Sequence, residues 1–185
     1  TPQKFDRAVV FHRSRSWTDA GSRGYQLLLE DGRLSASLIH FWPGNAIRIR
    51  TTSAIPIDRW IHAVMTYDGS SRASGLKLYL NGKLHPCDVV RDKLSKNMTG
   101  GGANRLTIGQ RFRDRGFKNG LVDEFQIYGR TLTSIEVQQI HDGKSLTNLL
   151  ALKSNKLNKR NSNDLFEYYL SNHDSAYREH LESLR

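Results

Sequence analysis

The chain has 185 residues, of which 37% are hydrophobic and 25% are charged. That composition suits one globular domain with an appendage and excludes a disordered chain. The single cysteine, Cys87, excludes an internal disulfide framework and a C-x-x-C zinc or haem motif. No apolar run approaches the roughly 18 residues that span a bilayer, so we expect no membrane insertion.

The formal net charge is +10, and most of the basic excess lies before Gly143. Such a charge favours anionic partners, among them sulfated or uronic polysaccharide, nucleic acid and anionic lipid. A basic surface that only keeps the domain soluble is the alternative. No helix carries a basic stripe suited to a groove, and no aromatic sheet motif of the RNA-binding type is present, so we do not expect nucleic acid to be the partner.

Strand-length segments with alternating apolar residues follow one another from the start of the chain. Two of them flank Asp31-Gly32, a dipeptide that favours a hairpin turn. In residues 45–51, isoleucines alternate with Arg48 and Arg50, which predicts arginines on the outer face of a strand. The segment 60–69 is apolar on both faces, as in the middle of a sheet. The predicted strands cover residues 7–13, 25–30, 34–41, 45–51, 60–69, 76–83, 105–109 and 120–130.

After Arg130 the apolar period changes from 2 to 3.6, which favours helices. Residues 133–136 form a capping-box pattern and Gly143 is a natural stop, so a short helix is predicted over 134–142. Two more amphipathic helices are predicted over 164–171 and 174–185. The predicted division of the chain is a sandwich at 1–143, a polar linker at 144–163 and a helical segment at 164–185 that leads to a following domain.

Residues 9–14, 24–34, 60–62 and 167–174 carry a resemblance to a known family. They resemble a laminin-G-like, concanavalin A-like domain, of the type inserted in planctomycete-type exported proteins that also carry a c-type cytochrome segment. The resemblance implies a mainly β fold, a jelly-roll sandwich of two antiparallel sheets with a short C-terminal helical extension. It also implies that an opening strand before Thr1 is missing, and that the location is periplasmic or extracellular.

This resemblance makes binding the expected function, and we expect no enzyme activity. Glycoside hydrolases of the superfamily place their carboxylates on one strand in a Glu-x-Asp-x-x-Glu pattern, which the sequence lacks. Asp123 and Glu124 are adjacent and would point to opposite faces of a strand. His62 is interpreted as a hydrogen-bonded sheet histidine.

We expect a non-catalytic recognition module for carbohydrate, with anionic polysaccharide favoured. The alternative is a purely structural insertion that packs on the remainder of its parent protein.

One set of candidate ligand-binding residues lies in a single loop, at Arg111, Arg113 and Arg115. Arginine presents a planar fork to sulfate or carboxylate, and the neighbouring aromatic side chains could stack on sugars. The alternative is a solvated loop from which Phe117 packs into the core.

A second set consists of Trp17 and Trp42, each in a polar stretch, together with the outward Arg48 and Arg50. An exposed indole is a platform for stacking on a sugar ring. The alternative is that both tryptophans cover the core.

Asp123 is the candidate metal ligand. Alternation places it with Phe125 and Ile127 on the core-facing side, where a carboxylate needs a cation, backbone N–H groups or an arginine. By the resemblance, it matches a last-strand aspartate that holds a structural calcium ion together with backbone carbonyls. A hydrogen-bonded or arginine-paired aspartate is the alternative.

Overall fold

The computed structural model describes residues 6–14, 23–98, 105–111 and 114–183. In these residues, nine strands are followed by four helices: β1 (Arg7–Ser14), β2 (Gly24–Glu30), β3 (Arg33–Phe41), β4 (Asn45–Thr51), β5 (Ala63–Tyr67), β6 (Leu76–Leu80), β7 (Lys83–Leu84), β8 (Cys87–Lys93), β9 (Thr107–Ile108), α1 (Ser134–Asp142), α2 (Ser145–Leu150), α3 (Lys159–Asn172) and α4 (Ser175–Ser183). A six-stranded sheet has the order β8-β4-β3-β2-β1-β9, and a three-stranded sheet has the order β5-β6-β7. The predicted mainly β fold with two antiparallel sheets and C-terminal helices is confirmed.

The hairpin between β2 and β3 sets the register of the large sheet. Asp31 and Gly32 have φ values of 52° and 74°, the left-handed conformations of a two-residue turn that matches strand twist. Glu30 and Arg33 are therefore direct partners at the end of the ladder. This register turns Leu27 and Leu29 of β2 to the same side as Leu34 and Ala36 of β3.

The core lies between the two sheets. From the large sheet it receives the apolar side chains of β2, β3 and β4, including Leu38 and Ile47, and from the small sheet Leu76 and Leu78. Because successive side chains of a strand point to opposite faces, the other residues of β2, β3 and β4 face away from this core.

Helix α1 packs on the outer side of the small sheet. Tyr79 and Val137 belong to a second buried cluster, and the Tyr79 hydroxyl lies 3.2 Å from that of Ser134. The predicted capping box is present, since the Glu136 carboxylate accepts the Thr133 backbone N–H at 2.8 Å. The helix ends at Gly143, whose φ of 72° is the left-handed value common at this position.

Two predicted strands differ from the structure. Trp60 is 65% exposed, the strand after it begins only at Ala63, and within the described residues β5 pairs with β6 alone, so this segment is not in the middle of a sheet. Residues 121–130 are exposed and form no strand. A period-two pattern gives a strand only where a neighbour completes its backbone hydrogen bonds, and no described segment does so here.

Other elements were not predicted. Strand β8 pairs with β4, and its mostly exposed side chains at the sheet edge lack an apolar alternation. Residues 144–163, interpreted as a polar linker, contain α2 and the first turn of α3. The Asn158 side chain caps α3 by accepting the Asn161 N–H at 2.8 Å. The division into sandwich, linker and following segment stays a prediction. Among the described helices, none is both long and apolar enough to cross a membrane.

Candidate functional site

The side of the six-stranded sheet that points away from the core carries many arginines. Leu27 and Ile47 point into the core, so their neighbours Gln26 and Arg48 point away from it. We call this surface the arginine face, and its charged members are Arg7, Arg33, Arg48, Arg50, Arg91, Arg111, Glu30, Asp88 and Asp114. Because guanidinium groups outnumber carboxylates in this set, the face is positively charged at neutral pH.

The charges near β1 are paired with one another. Arg7 donates from Nε and Nη2 to the two carboxylate oxygens of Asp114, at 2.9 and 3.0 Å. Arg111 is only 5% exposed and donates to Asp114 and to the Gln26 side chain. Burial raises the pKa of Asp114, but hydrogen bonds from Arg7 and Arg111 outweigh that effect and hold the pKa at about 2. This part of the face is internally neutralised.

Arg48 lies at the centre of the face. Its Nη1 donates to Glu30 at 3.3 Å and its Nε donates to the Ser37 hydroxyl at 2.9 Å. The guanidinium carbon lies 3.8 Å from the ring centroid of Trp42, a cation–π contact. Burial lowers the pKa of Arg48, Glu30 opposes that effect and the neighbouring arginines add to it. The centre of the face is therefore crowded with positive charge.

At the corner of the face where β4 and β8 lie side by side, the arginines have fewer ion-pair and hydrogen-bond partners. Ser35 on β3 is the direct cross-strand partner of Arg50 on β4, and Asp88 on β8 is the partner on its other side. Arg33 lies 3.6 Å from Asp88, in a pair that is largely exposed. Among the described residues, Ser35 Oγ, Arg50 Nε and Arg91 Nε are buried without a hydrogen-bond partner. The face therefore has a neutralised half and a half with spare hydrogen-bonding groups.

The predicted loop arginines do not form one exposed set. Arg111 is buried in its ion pair with Asp114 and is only 5% exposed. The Arg115 side chain is 70% exposed and lies 3.6 Å from Asp6, beside β1. Arg113 lies outside the described residues. Phe117 packs against the core, as the alternative interpretation of this loop expected. A ligand-binding role for these arginines stays a prediction.

Arg48 and Arg50 do face away from the core, as the alternation predicted. Both are half-buried, because long side chains lie over one another on this face. Trp42 is also half-buried, and Arg48 occupies one face of its indole. Trp17 lies outside the described residues.

Asp123 is not in the core-facing register that its sequence context predicted. It lies in the exposed segment without strand structure, and its carboxylate accepts the Glu124 N–H at 2.8 Å. In the described ranges, no group of three or more His, Cys, Asp or Glu side chains is arranged to hold a metal ion. Calcium takes six to eight oxygen ligands, and one exposed carboxylate does not form that shell. The calcium site stays a prediction.

The interpretation of His62 as a hydrogen-bonded sheet histidine is wrong. It precedes β5, its Nδ1 is buried without a hydrogen-bond partner, and its ring stacks on His141 with a centroid distance of 5.4 Å. Burial lowers the pKa of His62, the charge of His141 lowers it further and Glu124 opposes both. The geometry is that of a packing contact between α1 and the small sheet.

Sequence reasoning missed several members of the arginine face, namely Arg7, Glu30, Arg33, Ser35, Asp88, Arg91 and Asp114. One signal was available: in residues 33–38, polar Arg33, Ser35 and Ser37 alternate with apolar residues. Asp88 and Arg91 could not be placed without predicting β8. The contact between Arg7 and Asp114 has no local signal.

Residues 2–138 match the family model Laminin_G_3, described as the concanavalin A-like lectin/glucanases superfamily. The chain belongs to this laminin-G-like family. Its description names both lectins and glucanases, so membership alone does not choose between binding and hydrolysis.

The laminin-G-like domain is similar to part of a human protein, the adhesion G-protein coupled receptor D1. The two are 28% identical over 116 residues, which are 63% of this chain and 13% of the receptor. The chain thus corresponds to a small part of that relative. Among solved structures, it is similar to residues 221–444 of an S-layer domain-containing protein from Clostridium thermocellum, with a TM-score of 0.37 and 20% identity. That match covers 73% of this chain and 63% of the other.

Proposed function

We propose that this laminin-G-like domain is a non-catalytic recognition module that binds acidic polysaccharide on its arginine face. The observation that carries the proposal is the excess of guanidinium groups on one sheet face, some of which have no hydrogen-bond partner at Nε among the described residues. A guanidinium offers paired donors that match the oxygens of sulfate and carboxylate groups.

The dimensions of the face support a polymeric ligand. Six strands at a spacing of about 4.8 Å make the sheet about 24 Å wide, enough for several sugar units. Trp42 contributes an aromatic ring beside Arg48 near the turn between β3 and β4. Charge and aromatic surface are therefore available on one side of the sheet.

The state of the two well-paired carboxylates on the face, Asp114 and Glu30, supports binding without hydrolysis. A glycosidase needs one carboxyl group with a raised pKa to protonate the leaving oxygen. Asp114 has a pKa of about 2 and is held by two arginines, so it is ionised at neutral pH. Glu30 is bonded to Arg7 and Arg48. Neither group is suited to the role of general acid.

An exported, multidomain parent protein is the proposed context. A relative that is by name an adhesion receptor supports an extracellular or periplasmic location. The planctomycete-type, cytochrome-associated setting is a finer proposal that rests on the sequence resemblance. In this context, the domain would attach the parent protein to an acidic matrix.

The test is an array of immobilised polysaccharides that includes sulfated, uronic and neutral members. It should be run at low and at physiological salt, with and without calcium. We expect binding to the sulfated and uronic members, weakened by salt, because ions screen charged contacts. Binding to neutral members that salt does not change would contradict an electrostatic mode. If a folded sample bound none of the polysaccharides on the array, the proposed function itself would be contradicted.

A second candidate function is the structural insertion. Phe166 and Tyr169 on α3 are 61% and 53% exposed, and Tyr177 on α4 is 37% exposed. Large exposed aromatic side chains on neighbouring helices are typical of a surface that another domain covers. If the domain bound no polysaccharide on the array but bound the remainder of the parent protein tightly through this surface, the structural insertion would be favoured.

A further inference from the structure

Two arginines at the β4–β8 corner of the arginine face lack partners. Arg50 and Arg91 form no ion pair with any described residue, and both have a buried Nε without an acceptor. Arg91 is the direct cross-strand partner of Arg48, which stands two residues before Arg50 on β4. Directly opposed side chains begin about 5 Å apart, so Arg91 starts beside Arg48 and on the same side of the sheet as Arg50.

Unpaired buried polar atoms are rare in folded proteins because each lacks the hydrogen bonds that water would provide. Four such side-chain atoms occur in the described residues, and three of them, on Ser35, Arg50 and Arg91, lie on this face. Ser35 and Arg50 are direct partners in the ladder. This corner therefore lacks an acceptor that the described residues do not supply.

The nearest carboxylate does not supply that acceptor. The Asp88 side chain is 57% exposed, and its carboxylate forms an ion pair with Arg33 at 3.6 Å. Exposed pairs of this kind contribute little. Near β1, by contrast, Asp114 and Glu30 each bond two arginines. Arg7, Arg48 and Arg111 thus share two carboxylates, whereas Arg33, Arg50 and Arg91 have one beside them, so the larger excess of positive charge lies toward β8.

We infer that Arg50 and Arg91, with Arg33 at the rim, form an oxyanion subsite for the sulfate or carboxylate group of an acidic sugar. The inference rests on the proposed function for the sugar, but the anion contact can be measured by itself. An oxyanion accepts from Nε and Nη of a guanidinium together, which gives the Arg50 and Arg91 Nε atoms the partners that they lack.

The test observes the arginine Nε–Hε signals by nitrogen–proton correlation NMR during titration with sodium sulfate, compared with sodium chloride at matched ionic strength. We expect saturable shifts at Arg50 and Arg91 with sulfate only. Arg178 is exposed on α4 and provides an internal control. A parallel titration with sodium glucuronate compares the carboxylate with the sulfate. Shifts at Arg178 equal to those at Arg50 and Arg91 would overturn the inference.

Two variants change the affinity in opposite directions. Arg91→Gln should weaken sulfate binding about tenfold, the equivalent of one lost charge-assisted hydrogen bond. Asp88→Asn should tighten binding severalfold, because it removes the carboxylate beside the subsite. A folding defect cannot mimic a gain of affinity. Arg178→Gln removes the same charge as Arg91→Gln but should leave binding unchanged; equal losses in these two variants would overturn the inference.

The subsite and the polysaccharide function fail in distinguishable ways. Saturable sulfate shifts without binding to any acidic polysaccharide would support the anion subsite and contradict the proposed function. Polysaccharide binding that Arg91→Gln and Asp88→Asn leave unchanged, with no sulfate shifts, would overturn the subsite while the proposed function stands.

Discussion

Arg7 and Asp114 form a two-point ion pair across 107 residues of sequence, with donor–acceptor distances of 2.9 and 3.0 Å. The pair fastens the loop before Gly116 to β1, where Val9 also donates its backbone N–H to Arg115 at 3.0 Å. The same carboxylate holds Arg111 over Gln26. The neutralised half of the arginine face is thus also a structural joint.

Asp114→Asn should lower the free energy of unfolding by about 3 kcal/mol at neutral pH, because it leaves the buried Arg111 without its carboxylate and removes one of the two carboxylates that Arg7 bonds. In the folded protein, Asp114 has a pKa of about 2, below the usual aspartate value. Its ionised carboxylate therefore contributes its full stabilisation at pH values above the usual aspartate pKa, and this contribution is lost as the pH falls toward 2. The variant should lack that part of the acid dependence. Urea unfolding between pH 7 and pH 2 measures both effects. The control is Asp6→Asn, since the Asp6 side chain is 85% exposed; an equal loss there would contradict the account.

Glu136→Gln should loosen both α1 and α3. Its carboxylate caps α1, accepts from Arg130 at 2.6 and 3.0 Å and accepts from Asn172 of α3 at 3.2 Å. Burial raises the pKa of Glu136, but hydrogen bonds from Arg130 and Thr133 outweigh burial and hold the pKa below the usual glutamate value. Its contribution to stability is therefore present above the usual glutamate range and is lost in acid. We expect a loss of about 2 kcal/mol in the free energy of unfolding and faster amide exchange in α3.

Hydrogen exchange followed by mass spectrometry checks this prediction. The matched variant is Glu167→Gln on the exposed side of α3. Unchanged exchange in α3 for Glu136→Gln would show that the contact with Asn172 does not hold the helix.

His62 should make stability fall as the medium becomes mildly acidic. Its pKa is lowered by burial and by His141, so below the ordinary histidine pKa of about 6.5 the unfolded chain binds a proton that the folded chain resists. His62→Gln removes this titration and should flatten the decline in the free energy of unfolding between pH 7.5 and pH 5. His180→Gln, at an exposed position on α4, should keep the wild-type decline. A decline of the same slope in His62→Gln would exclude His62 as its source.

Gly24→Ala should destabilise the large sheet. The glycine has a φ of 136°, and an added Cβ would lie 1.8 Å from the Arg13 carbonyl oxygen on β1. We expect a loss of about 2 kcal/mol or more in thermal or chemical unfolding. At Gly129 an added Cβ meets no atom within 4 Å, so Gly129→Ala should be nearly neutral. Similar stabilities for the two variants would contradict this geometry.

The sequence predicts those parts of the fold that local patterns determine. The Asp31-Gly32 turn, the alternation in 45–51 and the capping box at Thr133 all appear as predicted. Residues 120–130 show the limit of this reasoning, because alternation describes a strand's faces but does not supply its neighbour. Strand β8 shows the converse, since pairing with β4 makes a strand from residues that are largely exposed.

The candidate site was predictable only in part. Alternation correctly turned Arg48 and Arg50 away from the core. Sequence could not show that Glu30 lies beneath Arg48, or that Asp114 neutralises Arg7 and Arg111, because these contacts join distant segments. The difference between paired and unpaired arginines, on which the proposed subsite depends, exists only after the chain has folded.

The most direct test of the account is to map a bound acidic oligosaccharide on the domain. Backbone nitrogen–proton correlation spectra should be recorded while a chondroitin sulfate oligosaccharide is added, and again with an uncharged dextran of equal length. We predict saturable shifts in β3, β4 and β8 with the sulfated sugar and none with dextran. Shifts confined to α3 and α4 or to the Arg115 edge, or no shifts at all in a folded sample, would contradict the arginine face as the binding surface.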